Sequence, residues 1–472
     1  MANTSTRALI GASIVLLAGC ATSFGPPNLA RIYNESAQRQ HHLRNPIIVI
    51  PGLLGTRLVD SESHKVVWGA FSGDYADPRK DEDARLIAVP MKTGVPIQML
   101  ADSVRPVGVL ESVKVRVIGL PIQLNAYAFI LSTLGVGGYR DEDLGISGAI
   151  DYGDDHFTCF QFGYDWRLDN VENARRLHEF ILKKREYVQR ELKRRYDIDD
   201  ADVNFDIVAH SMGGLLARYY MRYGAAPLPE DGSLPELTWA GAEHVERLIL
   251  VGPPNAGSVD TLIQLTEGVK LGPFTPRYDA ALLGTMPSAY QLLPRPRHRL
   301  VRTETGDSVD FYSLATWQHY GWGLASETQS KKILRLSPDA SPEEARTIAL
   351  DHLEKSLARA AQFHRALDRP ASPPNSLALY LQAGDAVETN AVVEVNEETG
   401  KLRVIETLPG DGTVLRASAL MDERLNGNWT PKLISPIDYK QVNFLFTDHL
   451  GLTRDPTFTD NVLYVLLEAP IY

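Results

Sequence analysis

The chain has 472 residues, is 44% hydrophobic and 23% charged, and carries a formal net charge of -11. This is an ordinary globular composition, with length for one large domain bearing insertions or for two domains. The acidic balance excludes bulk electrostatic attraction to nucleic acid or to an anionic bilayer, so no nucleic-acid partner is expected.

At the N-terminus Arg7 precedes an apolar run, Ala8 to Leu17, too short to cross a bilayer as a stop-transfer helix. The run ends in Leu17-Ala18-Gly19-Cys20. Small residues directly before a cysteine resemble the lipobox of bacterial lipoproteins. That resemblance implies a signal peptide over residues 1–20, cleavage before Cys20, and lipidation of Cys20. Several acyl chains there would give stable anchoring where one would not. In the bacterial sorting pattern an Asp after the cysteine retains a lipoprotein in the inner membrane. Ala21 stands there instead, so the expected place is the outer membrane of a bacterial cell envelope, facing the periplasm. The plainer alternative is a secretory signal with an incidental cysteine. The other cysteine, Cys159, has no partner for an intramolecular disulfide, and its apolar surroundings predict burial.

Residues 21–45 are polar, carry Pro26 and Pro27, and read as a tether. Residues 46–472 follow as one domain. Short apolar runs of the kind found in buried strands occur at Ile47–Ile50, Phe157–Phe162, Val203–Ala209, Val245–Val251 and Leu377–Leu381. Between them lie helical patterns such as Asn173–Tyr196, with Leu177, Phe180, Ile181, Val188 and Leu192 on one face. Strands alternating with helices predict an α/β fold with a mostly parallel sheet covered on both sides. The helix also carries Arg175, Lys184, Arg194, Arg195 and other cations, read as a solvated outer face with a lipid-headgroup patch as the alternative. Two stretches interrupt the alternation and are read as insertions, at about 57–124 and 258–375. The first is irregular. The second contains Pro-rich loops and a helix from about Ser341 to Leu367, announced by Ser341-Pro342-Glu343-Glu344.

The strongest chemical signal is Val203-Asn204-Phe205-Asp206-Ile207-Val208-Ala209-His210-Ser211-Met212-Gly213-Gly214. A strand enters a tight turn with Ser211 at its tip and a helix leaves it, which is the nucleophile-elbow pattern of α/β-hydrolases. Ala209 stands where glycine is more usual but keeps the position small. The turn lifts the Ser211 hydroxyl above the sheet, and the helix N-terminus offers N–H groups to a developing oxyanion. His210 adjoins the serine, but neighbouring residues at an elbow point apart, so it reads as a positioning residue. Upstream, Pro46-Ile47-Ile48-Val49-Ile50-Pro51-Gly52-Leu53-Leu54-Gly55 is a strand ending in a glycine-rich loop. In this fold such a loop supplies one oxyanion donor, making the N–H groups of Leu53 and Met212 the candidates.

The fold's chain order is Ser, then Asp or Glu, then His. Asp411 lies in Gly410-Asp411-Gly412, Asp385 follows the strand 377–381, and His449 follows Val442–Phe446. Pattern alone leaves Asp385 and Asp411 unresolved as the acid. His298, His319, His352 and His364 fall in the second insertion, where surface or core roles are the default. Nothing in these motifs calls for a metal or other cofactor.

Together the pieces resemble the lecithin:cholesterol acyltransferase-like family, which includes lysosomal phospholipase A2 and phospholipid:diacylglycerol acyltransferases. The resemblance rests on Pro51-Gly52-Leu53-Leu54-Gly55, Val66-Val67-Trp68, Gly138-Tyr139, Tyr164-Asp165-Trp166-Arg167, His210-Ser211-Met212-Gly213, Gly252-Pro253-Pro254-Asn255-Ala256-Gly257-Ser258, Gly410-Asp411-Gly412-Thr413-Val414 and His449-Leu450. It implies Ser211 as nucleophile, Asp411 as acid and His449 as base, acting on acyl esters of phospholipids or related lipids through an acyl-serine intermediate. It also implies that the two insertions are a membrane-binding subdomain and a cap with lid, and that Tyr164–Arg167 is an ion pair or loop brace. Secreted animal members have a disulfide in the membrane-binding insertion, whereas this chain has no cysteine there. The competing readings are a carboxylesterase or peptidase of the same fold acting on smaller substrates, and a non-catalytic lipid-binding envelope protein.

Overall fold

The computed structural model describes residues 26–469, apart from 40–42, 71–73, 101, 111–112, 118–119, 125–126, 146–149, 151–152, 271–274 and 427–434. The expected signal peptide and Cys20 therefore lie outside the described residues.

The centre is a six-stranded sheet. Its strands are β1 (Ile47–Ile50), β2 (Cys159–Gln161), β3 (Phe205–His210), β4 (Val245–Val251), β5 (Ala378–Gly384) and β6 (Gln441–Leu445). In space they run β6-β5-β4-β3-β1-β2, every pair parallel. Successive residues of a strand face opposite sides, so a strand covered on both faces needs apolar residues at every position. β1 meets this with Ile47 and Val49 on one side and Ile48 and Ile50 on the other, all fully buried.

Helices α1 (Asn170–Tyr196) and α2 (Met212–Tyr223) cover one face, through Leu177, Ile181, Leu215 and Leu216. The other face is closed by the short helix Ala128–Val136 and by the C-terminal helix Pro456–Leu467, through Ile130, Leu134, Phe458 and Val462. The Asp169 side chain accepts from the Val171 N–H at the start of α1, and Asp197 ends it in the left-handed conformation. Several basic residues of α1 are paired with carboxylates. Arg175 meets Glu172 and Glu179, Lys184 meets Glu142, and Arg194 and Arg195 meet Asp154 and Glu191. The sequence reading of a solvated outer face did not include these pairings.

The expected tether gives way to structure over part of its length. Leu29–Ile32 and Asn34–Gln38 are helical, and Tyr33 and Ala37 are buried. The Tyr33 hydroxyl donates to Asp460 and Ser36 to Glu468, docking this segment on the C-terminal helix. Contacts more than four hundred residues away in sequence leave no local signal.

The stretch 57–124 falls between β1 and β2, and is less irregular than expected. Thr56–Asp60, Val66–Trp68 and Val104–Val109 form a three-stranded antiparallel sheet. The stretch 258–375 falls between β4 and β5 and builds its own core around Trp317, Trp322, Leu353 and Leu357. Its long helix, Pro342–Asp368, opens with the full capping box of Ser341 and Glu344. Between β5 and β6 stands a feature the sequence reading omitted. The hairpin Val387–Val395/Leu402–Gly410 is antiparallel and ends at Asp411.

Arg167 joins the first inserted stretch to the central sheet. Its fully buried guanidinium donates to Asp165 and Asp102, and to the carbonyls of Leu86, Ile87 and Ala88. Removing one partner of such a network leaves buried charges uncompensated. Arg167→Met is expected to lower stability by about 3–5 kcal/mol. Urea unfolding checks this, and a loss below about 1 kcal/mol would show that the brace is dispensable.

Candidate active site

The site lies at the C-terminal ends of the parallel strands, where the loops after β1, β3, β4 and β6 emerge together. Ser211 follows β3 directly and adopts φ 53, ψ −126, a conformation that a non-glycine residue holds only under constraint. The constraint is close packing. A Cβ on Gly213 would lie 2.3 Å from the Pro51 carbonyl oxygen, and one on Gly52 would lie 2.7 Å from the Ser211 Cβ. Glycine is therefore required where the β1 loop rides over the elbow.

His449 lies four residues beyond the end of β6. Its Nε2 is 3.1 Å from the Ser211 Oγ and its Nδ1 is 2.8 Å from Asp411 Oδ2. Asp411 is 1% exposed, so its charge needs fixed donors. The N–H groups of Thr413 and Val414 supply them at 3.0 and 2.7 Å, both to Oδ1. The His449 N–H also donates to the Asp411 carbonyl at 2.8 Å, tying the two loops together. The Nδ1 contact with the carboxylate favours the tautomer that leaves Nε2 as acceptor toward the serine.

Asp385, the rival acid, sits elsewhere. Its carboxylate faces Arg416 at 3.9 Å. The rival histidines also have other partners or surroundings: His298 faces Glu423, His352 meets the Thr285 carbonyl, His364 lies between Tyr312 and the Gln291 carbonyl, and His319 is exposed.

The two candidate oxyanion donors also fall at the site. Met212 is the first residue of α2, so its N–H has no acceptor within the helix. The Leu53 N–H is taken up by no hydrogen bond among the described residues. The Gly52 carbonyl accepts from the Gly55 N–H at 3.0 Å. In a trans peptide N–H and C=O point oppositely, so the Leu53 N–H is turned away from that turn.

The sequence model of the lecithin:cholesterol acyltransferase family matches residues 149–331. Over that segment the chain is similar to this family. The matched segment covers less than half of the chain. It includes Ser211 and the Tyr164–Arg167 motif, and ends before Asp411 and His449. No curated protein matches the chain. Among solved structures, a chain of the Tle4–Tli4 complex overlaps 89% of this chain and 98% of its own length, with a TM-score of 0.55 at 16% identity. That likeness is one of fold. An acetylester hydrolase from Corynebacterium glutamicum (TM-score 0.23, 11% identity, 90% of this chain and 86% of its own) and lipase 1 from Pelosinus fermentans (0.29, 12%, 91% and 100%) overlap too slightly to argue from. The parallel sheet with Ser211 between strand and helix is the α/β-hydrolase fold expected from the sequence.

An apolar cleft adjoins the loop that carries Leu53 and Leu54. Leu53, Leu54, Trp68, Trp166, Tyr278 and Met286 line it, drawn from both interrupting stretches and from the Tyr164–Arg167 motif. The Trp68 ring meets Trp166 and Tyr278 edge-on, at 5.5 and 6.0 Å between centroids, giving the wall a rigid aromatic corner. The sequence reading gave Leu54, Trp68 and Trp166 no lining role and did not single out Tyr278, Met286 or Tyr127, whose hydroxyl meets both the Gly52 N–H and His210.

Asp411→Asn is expected to reduce turnover by roughly 10⁴-fold, because an amide cannot hold the imidazole in the required tautomer. Asp385→Asn is expected to change it less than about threefold, within the usual scatter for a surface change. Steady-state kinetics on a short-chain ester compares the two. Equal losses would remove Asp411 from its assigned role.

Proposed function

We propose that this chain is a serine-dependent acyl ester enzyme acting on phospholipid or a related lipid ester through an acyl-Ser211 intermediate. The observation that carries the reading is the continuous contact Ser211–His449–Asp411 at 3.1 and 2.8 Å. The match to the LCAT family supports a lipid ester hydrolase or acyltransferase, and the apolar cleft beside Leu53 suits an acyl chain.

In this reading His449 Nε2 takes the serine proton as Oγ attacks the ester carbonyl. The N–H groups of Leu53 and Met212 meet the oxyanion as it forms. His449 then protonates the leaving alcohol, and the acyl group remains on Ser211. Water or a lipid alcohol, activated by the same histidine, takes the acyl group and frees the serine. Hydrolysis and transfer share every step up to the choice of acceptor, so the balance rests on how far the closed site excludes water.

The same proposal puts the protein at a bacterial cell envelope, held at the outer membrane through a lipidated Cys20 and facing the periplasm. The support is the Leu17-Ala18-Gly19-Cys20 pattern followed by Ala21. Anchoring would turn a search through solution into one along a surface, which raises the effective concentration of a bilayer substrate.

Ser211→Ala should abolish both ester turnover and labelling by a fluorophosphonate probe, with a loss of about a million-fold in turnover. Retention of more than a few per cent of activity in pure Ser211→Ala protein would refute the serine assignment. Cys20→Ser behind an ordinary secretory signal should give a soluble protein. Its activity on a soluble short-chain ester should be preserved while its activity on phospholipid vesicles falls. Mass spectrometry of Cys20 and the ratio of the two activities check this, and an unmodified Cys20 in the native protein would overturn the localisation.

A further inference from the structure

The loop that carries Leu53 is held from two sides by tyrosines. The peptide joining Pro51 to Gly52 has its carbonyl bound by the Tyr164 hydroxyl at 2.9 Å and its N–H bound to the Tyr127 hydroxyl at 2.7 Å. One peptide plane is thus fixed at both ends, and its neighbour is fixed by the bond from Gly55 to Gly52. Tyr127 is 2% exposed and fills the hollow of the loop, since a Cβ on Gly55 would lie 2.7 Å from its ring and hydroxyl.

The network continues past Tyr127. Its hydroxyl lies 3.1 Å from His210 Nδ1, and His210 Nε2 lies 3.4 Å from the backbone carbonyl of His449. The His449 carbonyl can only accept, so Nδ1 is left as acceptor of the single Tyr127 proton while the Tyr127 oxygen accepts from Gly52. The His210 proton then sits on Nε2, facing the His449 carbonyl. Burial, with His449 adjacent, pushes the His210 pKa down to about 3, which keeps Nδ1 an acceptor at neutral pH.

We propose that Tyr127 and His210 are positioning residues that preset the oxyanion loop and couple it to the loop bearing the base. The path runs from the Gly52 N–H through the Tyr127 hydroxyl and the His210 ring to the His449 carbonyl. Neither side chain touches the reacting atoms. Their effect is to hold the Pro51–Gly52 peptide in one orientation, so that Leu53 presents its N–H without reorganisation during the reaction. The inference rests on the acyl-serine reading of this site.

The experiment compares wild type with Tyr127→Phe, His210→Asn and His210→Leu, using p-nitrophenyl butyrate as substrate and a fluorophosphonate as probe of Ser211. Tyr127→Phe should lower kcat about ten- to a hundredfold, less than or equal to the loss of an oxyanion donor itself. KM should move less than about threefold, because the effect lies in the transition state. Fluorophosphonate labelling should slow in parallel with kcat. His210→Asn keeps an acceptor near the Nδ1 position for the Tyr127 hydroxyl but cannot reach the His449 carbonyl, so its kcat should lie between those of wild type and His210→Leu, which loses both contacts and should fall at least as far as Tyr127→Phe. Melting temperatures of all four proteins separate a folding defect from a positioning effect. Wild-type kcat and labelling rate in a folded Tyr127→Phe protein would overturn the relay, as would equal losses in His210→Asn and His210→Leu. Failure of the probe to label wild-type Ser211 would instead overturn the serine reading beneath it.

Discussion

A serine held at positive φ between a buried strand and a buried helix is the constraint on which this structure depends. Such a conformation costs about 1–3 kcal/mol and persists only where the surroundings over-determine it. Here they do. β3 lies in the middle of the sheet between β1 and β4, its six residues are all buried, and the first residues of α2 are packed against the β1 loop. The strain sets the direction of Oγ, and the same turn leaves the Met212 N–H beside it without a helical acceptor.

His449 and Asp411 reach this serine by different physical routes. His449 follows β6 at the sheet edge, a short loop away from the strand end. Asp411 arrives on a long detour, at the end of a hairpin that leaves after β5 and returns. A Cβ on Gly384 would lie 2.6 Å from the Asp411 Cβ, so the detour brings the aspartate back against the end of the strand it left. Asp385 begins that excursion and Asp411 ends it. The side chain selected is the one whose carboxylate is buried and supplied with two backbone donors, while the other pairs with Arg416 near solvent.

The interrupting stretches serve the site through its walls. Trp68 comes from the small antiparallel sheet between β1 and β2, and Tyr278 and Met286 come from the segment between β4 and β5. Tyr164-Asp165-Trp166-Arg167 knits these parts together. Tyr164 holds the oxyanion loop, Trp166 lines the cleft, and Arg167 spans two carboxylates and three carbonyls. A motif with no chemical group aimed at the serine thereby supports the groups that are.

The sequence by itself determined the parallel sheet, the elbow at Ser211, the glycine loop at Gly52 and the candidates for base and acid. These features are local: buried strands are continuous apolar runs, helix starts have caps, and a sharp turn admits only small neighbours. Only the tertiary structure puts Asp411 rather than Asp385 against His449, because two carboxylates on glycine-bearing turns look alike until their distances to that ring are known. The same holds for the docking of Tyr33 on Asp460, the small sheet within 57–124 and the role of Tyr127. Each depends on partners far away in the chain, and sequence periodicity reports which face of an element is buried but not what it is buried against.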